Sequence, residues 1–360
     1  MTDTVVTSID QATPEWLTAT LFASGALVGG AVAGFDVDIE ERRLSTVAKL
    51  KVRYSAEARG ERPANLLLKM VNADMGDEMF GASEVSYYAR DYVGLDDIPL
   101  VRSYDASYST EADRYHILMD DHSDTHVTAV GRAPTLEYGL ALAEGLDRMH
   151  AHWWDVERLN RAGEPIHDAE HILRYVDVAR DGLDPMLEAF GAELDASWPD
   201  ALADLFDNHP RKMVERIDDG NGFTLIHGDV NPTNVLVPRD DEAPVYIIDR
   251  QPFDWSLTTW LGVSDISYMM VHWWEPTVRA SLEVPILEKY HSTLQTNGVT
   301  GYPWEQLWSD YLLCAVQSIY VATEWCAGAE SRETHRWVWE PQIHRSMAAF
   351  FELDCAQLWR

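Results

Sequence analysis

One stretch constrains this chain more than any other: Leu225-Ile226-His227-Gly228-Asp229-Val230-Asn231-Pro232-Thr233-Asn234-Val235-Leu236-Val237, followed by Val245-Tyr246-Ile247-Ile248-Asp249. A short apolar run enters a polar loop and a β-branched strand leaves it. A turn then runs from Arg239 to Pro244, and a second apolar strand ends in a carboxylate. Pairing of 234–237 with 245–248 as an antiparallel hairpin brings the start of one strand and the end of the other to the same edge. The expectation is that Asn234 and Asp249 face one spot. An amide oxygen beside a carboxylate is a hard-oxygen set suited to Mg²⁺ carried by phosphates, which leaves Asp229 to take a proton. A loop aspartate alone is more often a turn former or a helix cap. The order, the spacing and the flanking strands together argue for chemistry.

An Asp-x4-Asn pattern followed by a strand-terminal Asp resembles the way kinases divide their work between a base and two metal ligands. The His227-Gly228-Asp229 spelling resembles the aminoglycoside phosphotransferase and choline kinase-like families of small-molecule kinases. The resemblance implies an α+β, bilobal protein kinase-like fold. Its small β-rich lobe would span 1–119, its hinge 120–124 and its large, mainly helical lobe 125–360. It also implies transfer of a phosphoryl group from ATP, with Mg²⁺, to a hydroxyl of an aminoglycoside-, choline- or sugar-like small molecule. Asp229 would be the base, and Asn234 and Asp249 the metal ligands.

The first third of the chain reads as the small lobe. A helix over Pro14 to Phe22 follows Thr13, and strands are expected over Phe35 to Ile39, Ser45 to Tyr54 and Asn65 to Met70, with a loop from Ser55 to Arg62. Lys69 closes the apolar run Leu66-Leu67-Leu68, where a lysine is most often a solvated cap. Glu84 follows fifteen residues later in Ala82-Ser83-Glu84-Val85-Ser86-Tyr87-Tyr88-Ala89-Arg90, which reads as helix. Its Glu-Val-x-Tyr-Tyr wording resembles the Glu-x-x-Phe-Tyr helix of the choline kinase-like and ecdysteroid kinase-like families. That resemblance implies Lys69 on the α- and β-phosphates, held by Glu84.

A glycine-rich phosphate loop is missing. Glu40-Glu41-Arg42-Arg43-Leu44-Ser45 stands between the first two strands, where backbone amides and the Ser45 hydroxyl remain to cover phosphates. The glycines at 25, 29, 30 and 34 read as turns. Val101 to Ser109 and Tyr115 to Met119 read as two more strands, the second running into Asp120-Asp121-His122-Ser123-Asp124. The kinase resemblance implies main-chain recognition of adenine near Asp120 and His122, with Met119 behind. An ordinary loop is the competing reading.

Apolar residues from Leu136 to Trp153 recur at helical spacing, giving one helix from Pro134 to about Trp154. On it, His150 and His152 read as packing and capping residues. Helices are expected over His167 to Ala179, Pro185 to Phe190, Pro199 to Phe206 and Arg211 to Asp218. After Asp249, Arg250-Gln251 departs from the kinase Asp-Phe-Gly. Gly262-Val263-Ser264-Asp265 resembles the family's Gly-Asp-Leu-Ala turn, making Asp265 a helix cap or a brace on the catalytic loop. Trp255, Trp273 and Trp274 read as core packing, or as an aromatic cage for a cationic or ring-shaped substrate.

Composition narrows the partners. With 360 residues, 46% hydrophobic, the chain fills two lobes. Its net charge of −32, with lysine only at 49, 51, 69, 212 and 289, repels nucleic acid and anionic lipid. Because the acidic residues are spread along the sequence, they read as general solvation of the kind halophiles use, over steering of a cationic substrate. No apolar run reaches membrane-span length, and nothing resembles a signal peptide, so a cytoplasmic monomer or homodimer is expected. Cys314, Cys326 and Cys355 are too scattered for a zinc site and read as buried thiols. A catalytically silent kinase-fold module is the alternative, favoured by the absent glycine loop and by Arg250-Gln251. Protein kinase activity is a weaker third.

Overall fold

The computed structural model describes residues 5–42, 44–74, 80–95, 97–240 and 244–360. Arg43 of the glycine-free turn and residues 241–243 of the Arg239 to Pro244 turn lie outside the described residues. The chain divides into two compact units, 1–128 with 236–254, and 129–235 with 255–360. The first is β-rich and the second helical, an α+β architecture as the sequence implies. The reading that assigns all of 125–360 to one lobe differs at 236–254, which groups with the first unit. The strand Val235–Pro238 pairs there with His126–Thr128, a short strand that its polar surroundings conceal.

Alternation builds the first unit. Helix α1 (Pro14–Ala23) is capped by the Thr13 hydroxyl, which accepts from Trp16 N–H at 3.2 Å. After it come β1 (Leu27–Gly29), β2 (Val32–Glu41), β3 (Ser45–Tyr54), β4 (Arg59–Gly60), β5 (Asn65–Asn72), then α2 (Ser83–Ser86), β6 (Ser103–Ser109), β7 (Arg114–Asp120) and β8 (His126–Thr128). Five strands form one sheet in the order β2-β3-β5-β7-β6. Ala48, Leu50, Leu66, Leu68, Met70 and Leu118 point to one face and bury against Leu17 and Leu21 of α1. Lys69, paired with Val47 and Ile117, points to the other face. It lies inside β5 and does not end it, since the strand continues to Asn72. Of the glycines expected in turns, Gly25 and Gly30 are left-handed, while Gly29 and Gly34 lie within β1 and β2.

The expected helix around Glu84 is α-helical only over Ser83–Ser86 and continues as a π-helical turn, Tyr87–Asp91. Such turns insert one extra residue and re-aim the side chains that follow.

The second unit is a helical assembly. Its helices are α3 (Leu136–His152), α4 (Val156–Ala162), α5 (Ala169–Arg180), α6 (Leu183–Phe190), α7 (Trp198–Ile217), α8 (Val263–Ser267), α9 (Pro276–Thr296), α10 (Trp304–Glu324), α11 (Ala329–Thr334) and α12 (Arg336–Glu352). The two helices expected over 199–206 and 211–218 are one, with Pro210 inside. Proline removes one backbone bond, but burial carries the axis through. Phe206, His209 and Met213 face inward, and the His209 ring is held by Tyr320 Oη at 2.8 Å and the Leu313 carbonyl at 2.9 Å. All three cysteines are buried. Among the described residues, no helix is long and apolar enough to cross a membrane.

Candidate functional site

The candidate residues form two sets, one in each unit. In the first, Lys69 Nζ donates to Glu84 Oε1 at 2.7 Å and to Asp249 Oδ1 at 2.8 Å. Glu84 is 1% exposed, and the Tyr115 hydroxyl donates to its second oxygen at 2.5 Å. Burial alone would lower the Lys69 pKa, but the charges of Asp249 and Glu84 override it and hold the ammonium above its ordinary value. Lys69 therefore stays charged. Asp249 has φ 58°, a left-handed conformation that non-glycine residues rarely adopt. Its side chain is 33% exposed, in contrast to the burial of Glu84.

Ser45 opens β3 beside the expected phosphate turn, which closes through Arg42 N–H to the Ser45 carbonyl at 2.8 Å. The Arg42 guanidinium, bonded to Glu40, also feels the Asp249 charge, and its pKa is raised. Asp120 ends β7 and accepts from the Tyr104 hydroxyl at 2.7 Å. The N–H groups of Asp120 and Asp121 are committed to the carbonyls of Arg102 and Asn65. The His122 ring stacks on Tyr246 with centroids 4.6 Å apart, and Met119 is buried. Val235–Pro238 and Tyr246–Ile247 are neighbours in a three-stranded sheet with β8.

The second set is the loop after the strand Phe223–Leu225, which pairs antiparallel with Thr259–Leu261. Gly228, at φ 78°, lets two consecutive N–H groups aim one way. Those of His227 and Gly228 donate to Asp265 Oδ2 and Oδ1 at 2.7 and 2.8 Å. His150 Nε2 lies 3.2 Å from the same carboxylate, and its Nδ1 lies 2.8 Å from Tyr290 Oη. Burial works to raise the Asp265 pKa, but the His150 hydrogen bond and the charges of His150 and His227 hold it low. Close packing here excludes a side chain at Gly262, whose Cβ would lie 2.5 Å from Tyr290 Oη. Asp265 is the brace on the loop.

Within the loop, Asp229 is surrounded by donors. Asn231 Nδ2 reaches Oδ1 at 2.9 Å, Tyr268 Oη reaches Oδ1 at 3.0 Å, and Asn234 Nδ2 reaches Oδ2 at 2.8 Å. Asn234 Nδ2 also donates to the Asp229 carbonyl at 3.0 Å. His227 Nδ1 accepts from the Asp229 N–H at 3.2 Å. Tyr268 begins a second π-helical turn, Tyr268–His272. Burial and the Asp229 charge push its phenol well above the ordinary value, so it remains a donor. Sequence reasoning missed Tyr268, whose only signal was its place three residues after Asp265. Trp274 is buried against Tyr138 of α3 and Trp255 stacks on Tyr175 of α5, in keeping with core packing.

Asn234 in the second unit and Asp249 in the first each offer hard oxygen, the donor type Mg²⁺ takes. Among the described residues no cluster of three or more His, Cys, Asp or Glu forms a metal site.

A β-rich unit with a lysine held by two carboxylates, and a helical unit with a braced Asp-x4-Asn loop, define a protein kinase-like architecture. No protein family profile matches the chain, and no curated protein matches it. Solved structures do. A GDP complex of a point mutant of aminoglycoside 2'-phosphotransferase-IIIa has a TM-score of 0.51 at 14% identity, covering 96% of this chain and 99% of that one. The GDP complex of the wild-type form has a TM-score of 0.48 at 13% identity, covering 96% and 99%. Aminoglycoside phosphotransferase APH(3'')-Id from Streptomyces rimosus, with ADP and streptomycin, has a TM-score of 0.41 at 16% identity, covering 83% and 96%. The first of these likenesses shows that the chain has the protein kinase-like fold of an aminoglycoside phosphotransferase.

Proposed function

We propose that this protein transfers a phosphoryl group from a nucleoside triphosphate to a hydroxyl of a small molecule. The observation that carries the reading is the meeting of Lys69 with Glu84 and Asp249, residues 15 and 180 positions away in sequence. A lysine kept charged between two carboxylates is suited to the α- and β-phosphates, with Glu84 fixing its position. Asp229 orients the acceptor hydroxyl and accepts its proton, while Asn231, Asn234 and Tyr268 fix the carboxylate. Asn234 and Asp249 would hold Mg²⁺, which would supply positive charge to the phosphates. Positioning and electrostatics supply the acceleration, since phosphoryl transfer needs little covalent help.

The donor is proposed to be ATP, its adenine edge read by the main-chain N–H of His122 and its phosphates covered by the turn before Ser45. The GDP held by the structural neighbour makes GTP the second donor to test. The acceptor is proposed among amino sugars, choline-like alcohols and sugars.

Purified protein incubated with Mg²⁺, ATP or GTP and a panel of such acceptors is expected to release nucleoside diphosphate only with an acceptor present. A second reading, a silent kinase-fold binding protein, is favoured by the glycine-free turn between β2 and β3. Acceptor-dependent turnover that vanishes in Asp229→Ala excludes the silent protein. Mg·ATP binding with no turnover in either form establishes it.

A further inference from the structure

Arg250 directly follows Asp249, and it is 2% exposed. A cation buried there needs partners, and three lie along the segment that carries Glu84. Its Nη1 donates to the Ser83 carbonyl at 3.2 Å, its guanidinium lies 4.9 Å from the Tyr87 ring centroid, and Nη1 lies 3.7 Å from Asp91 Oδ2. These contacts fall at the start, middle and end of the turn of helix from Ser83 to Asp91.

The neighbours of Arg250 continue the lacing. The Ser83 hydroxyl donates to the Gln251 carbonyl at 2.8 Å, and the Gly81 N–H donates to the Pro252 carbonyl at 3.0 Å. Phe80 and Phe253 form a β-bridge, with rings edge to face at 5.3 Å. Residues 250–253 are thus fastened to 80–91 along their length.

We infer that Arg250 is a positioning residue that joins Glu84 and Asp249 into one rigid clamp on Lys69. In the kinase Asp-Phe-Gly the residue after the aspartate is apolar, and its packing sets active and inactive states. A guanidinium tied to a carbonyl, a ring and a carboxylate does not swing. The sequence departure at Arg250 therefore marks a clamp fixed in one position. Its consequence for nucleotide affinity rests on the phosphotransferase reading above; the clamp itself does not.

Two measurements on Arg250→Met, Arg250→Lys and the double variant Arg250→Met with Asp91→Leu separate these claims. Hydrogen exchange over 83–91 in nucleotide-free protein reads the clamp. Titration with Mg·ATP and, separately, with adenosine reads its effect on phosphates. Arg250→Met is expected to speed exchange over 83–91 and to weaken Mg·ATP about tenfold or more, with adenosine changed by less than about twofold. Arg250→Lys restores part of both, because it returns the charge without the fork. The double variant, which also releases Arg90 from Asp91, recovers part of the thermal stability but not Mg·ATP affinity. Unchanged exchange over 83–91 in Arg250→Met overturns the inference, even if the melting temperature falls. Should the wild type fail to bind Mg·ATP, the phosphotransferase reading falls, and exchange alone decides the role of Arg250.

Discussion

Lys69 and Asp249 meet at 2.8 Å across 180 residues of sequence, and Glu84 holds the same ammonium at 2.7 Å. One cation thus satisfies one buried carboxylate and one partly exposed one. The pairing is a structural dependence as much as a candidate site, because removing a single partner strands a charge in a poorly solvated place.

Lys69→Met is expected to destabilise the protein by about 3–5 kcal/mol, since Glu84 is left buried without its cation. Urea unfolding measures this. Glu84→Gln, which keeps shape and loses charge, is expected to destabilise less while weakening Mg·ATP. If Lys69→Met unfolds at the wild-type midpoint, the ion pair contributes nothing and the clamp is misassigned.

Asp229→Ala is expected to lower kcat about 10²–10⁴-fold, the range for loss of a positioned general base, while Mg·ATP affinity changes little. Tyr268→Phe removes one donor from that carboxylate and leaves the ring in place. A drop in kcat of about threefold to tenfold with KM for the nucleotide unchanged is expected, as for a hydrogen bond of about 1 kcal/mol. Steady-state kinetics on both variants checks this. A Tyr268→Phe enzyme altered only in nucleotide KM contradicts the role given to the phenol.

Asp265→Ala takes the acceptor from two N–H groups, that of buried His227 and that of half-buried Gly228. Each unsatisfied donor costs about 1–3 kcal/mol, so the variant is expected to be markedly less stable and to have a misplaced Asp229. The Asp265 pKa is lowered from 3.8 in the folded state, so its stabilising contribution is present above that value and is lost as pH falls through the folded pKa. Acid unfolding followed by circular dichroism is expected to be less steep in Asp265→Asn. Identical acid limbs would remove this carboxylate from the account.

Asp147 has the opposite sign. Burial raises its pKa from 3.8 to about 7, although Asn297 donates to it at 2.6 Å. Between those values the unfolded chain loses its proton first, so the contribution of Asp147 to stability falls as pH rises and levels off above about 7. Asp147→Asn is expected to flatten this slope and to gain stability over wild type at pH 8. Thermal melts from pH 4 to 8 measure it. His209 and His272, buried with their pKa values lowered to about 3, add stability as pH rises. The wild-type minus Asp147→Asn difference is therefore the readout, and a difference that rises over that window contradicts the assignment.

By itself the sequence determined the local elements and their chemistry. Alternation in Leu66-Leu67-Leu68-Lys69-Met70 sends every second side chain to the core beneath α1 and forces Lys69 to the opposite face. The run from His227 to Asn234 reads as a polar loop between two apolar strands, whereas the fold of Asn234 back onto Asp229 is seen only in the structure. Only tertiary structure decided what lies beyond local reach. Tyr268 and Asp265 reach the loop from nearly forty residues away, and Arg250 turned from an unexplained departure into an anchor because Ser83, Tyr87 and Asp91 are packed around it. Pro210 reads as a break in sequence, yet burial of Phe206 and Met213 carries one helix through it. Local pattern fixes what a segment of ten residues buries. Which distant charge or ring meets it depends on how the chain closes, and no spacing encodes that.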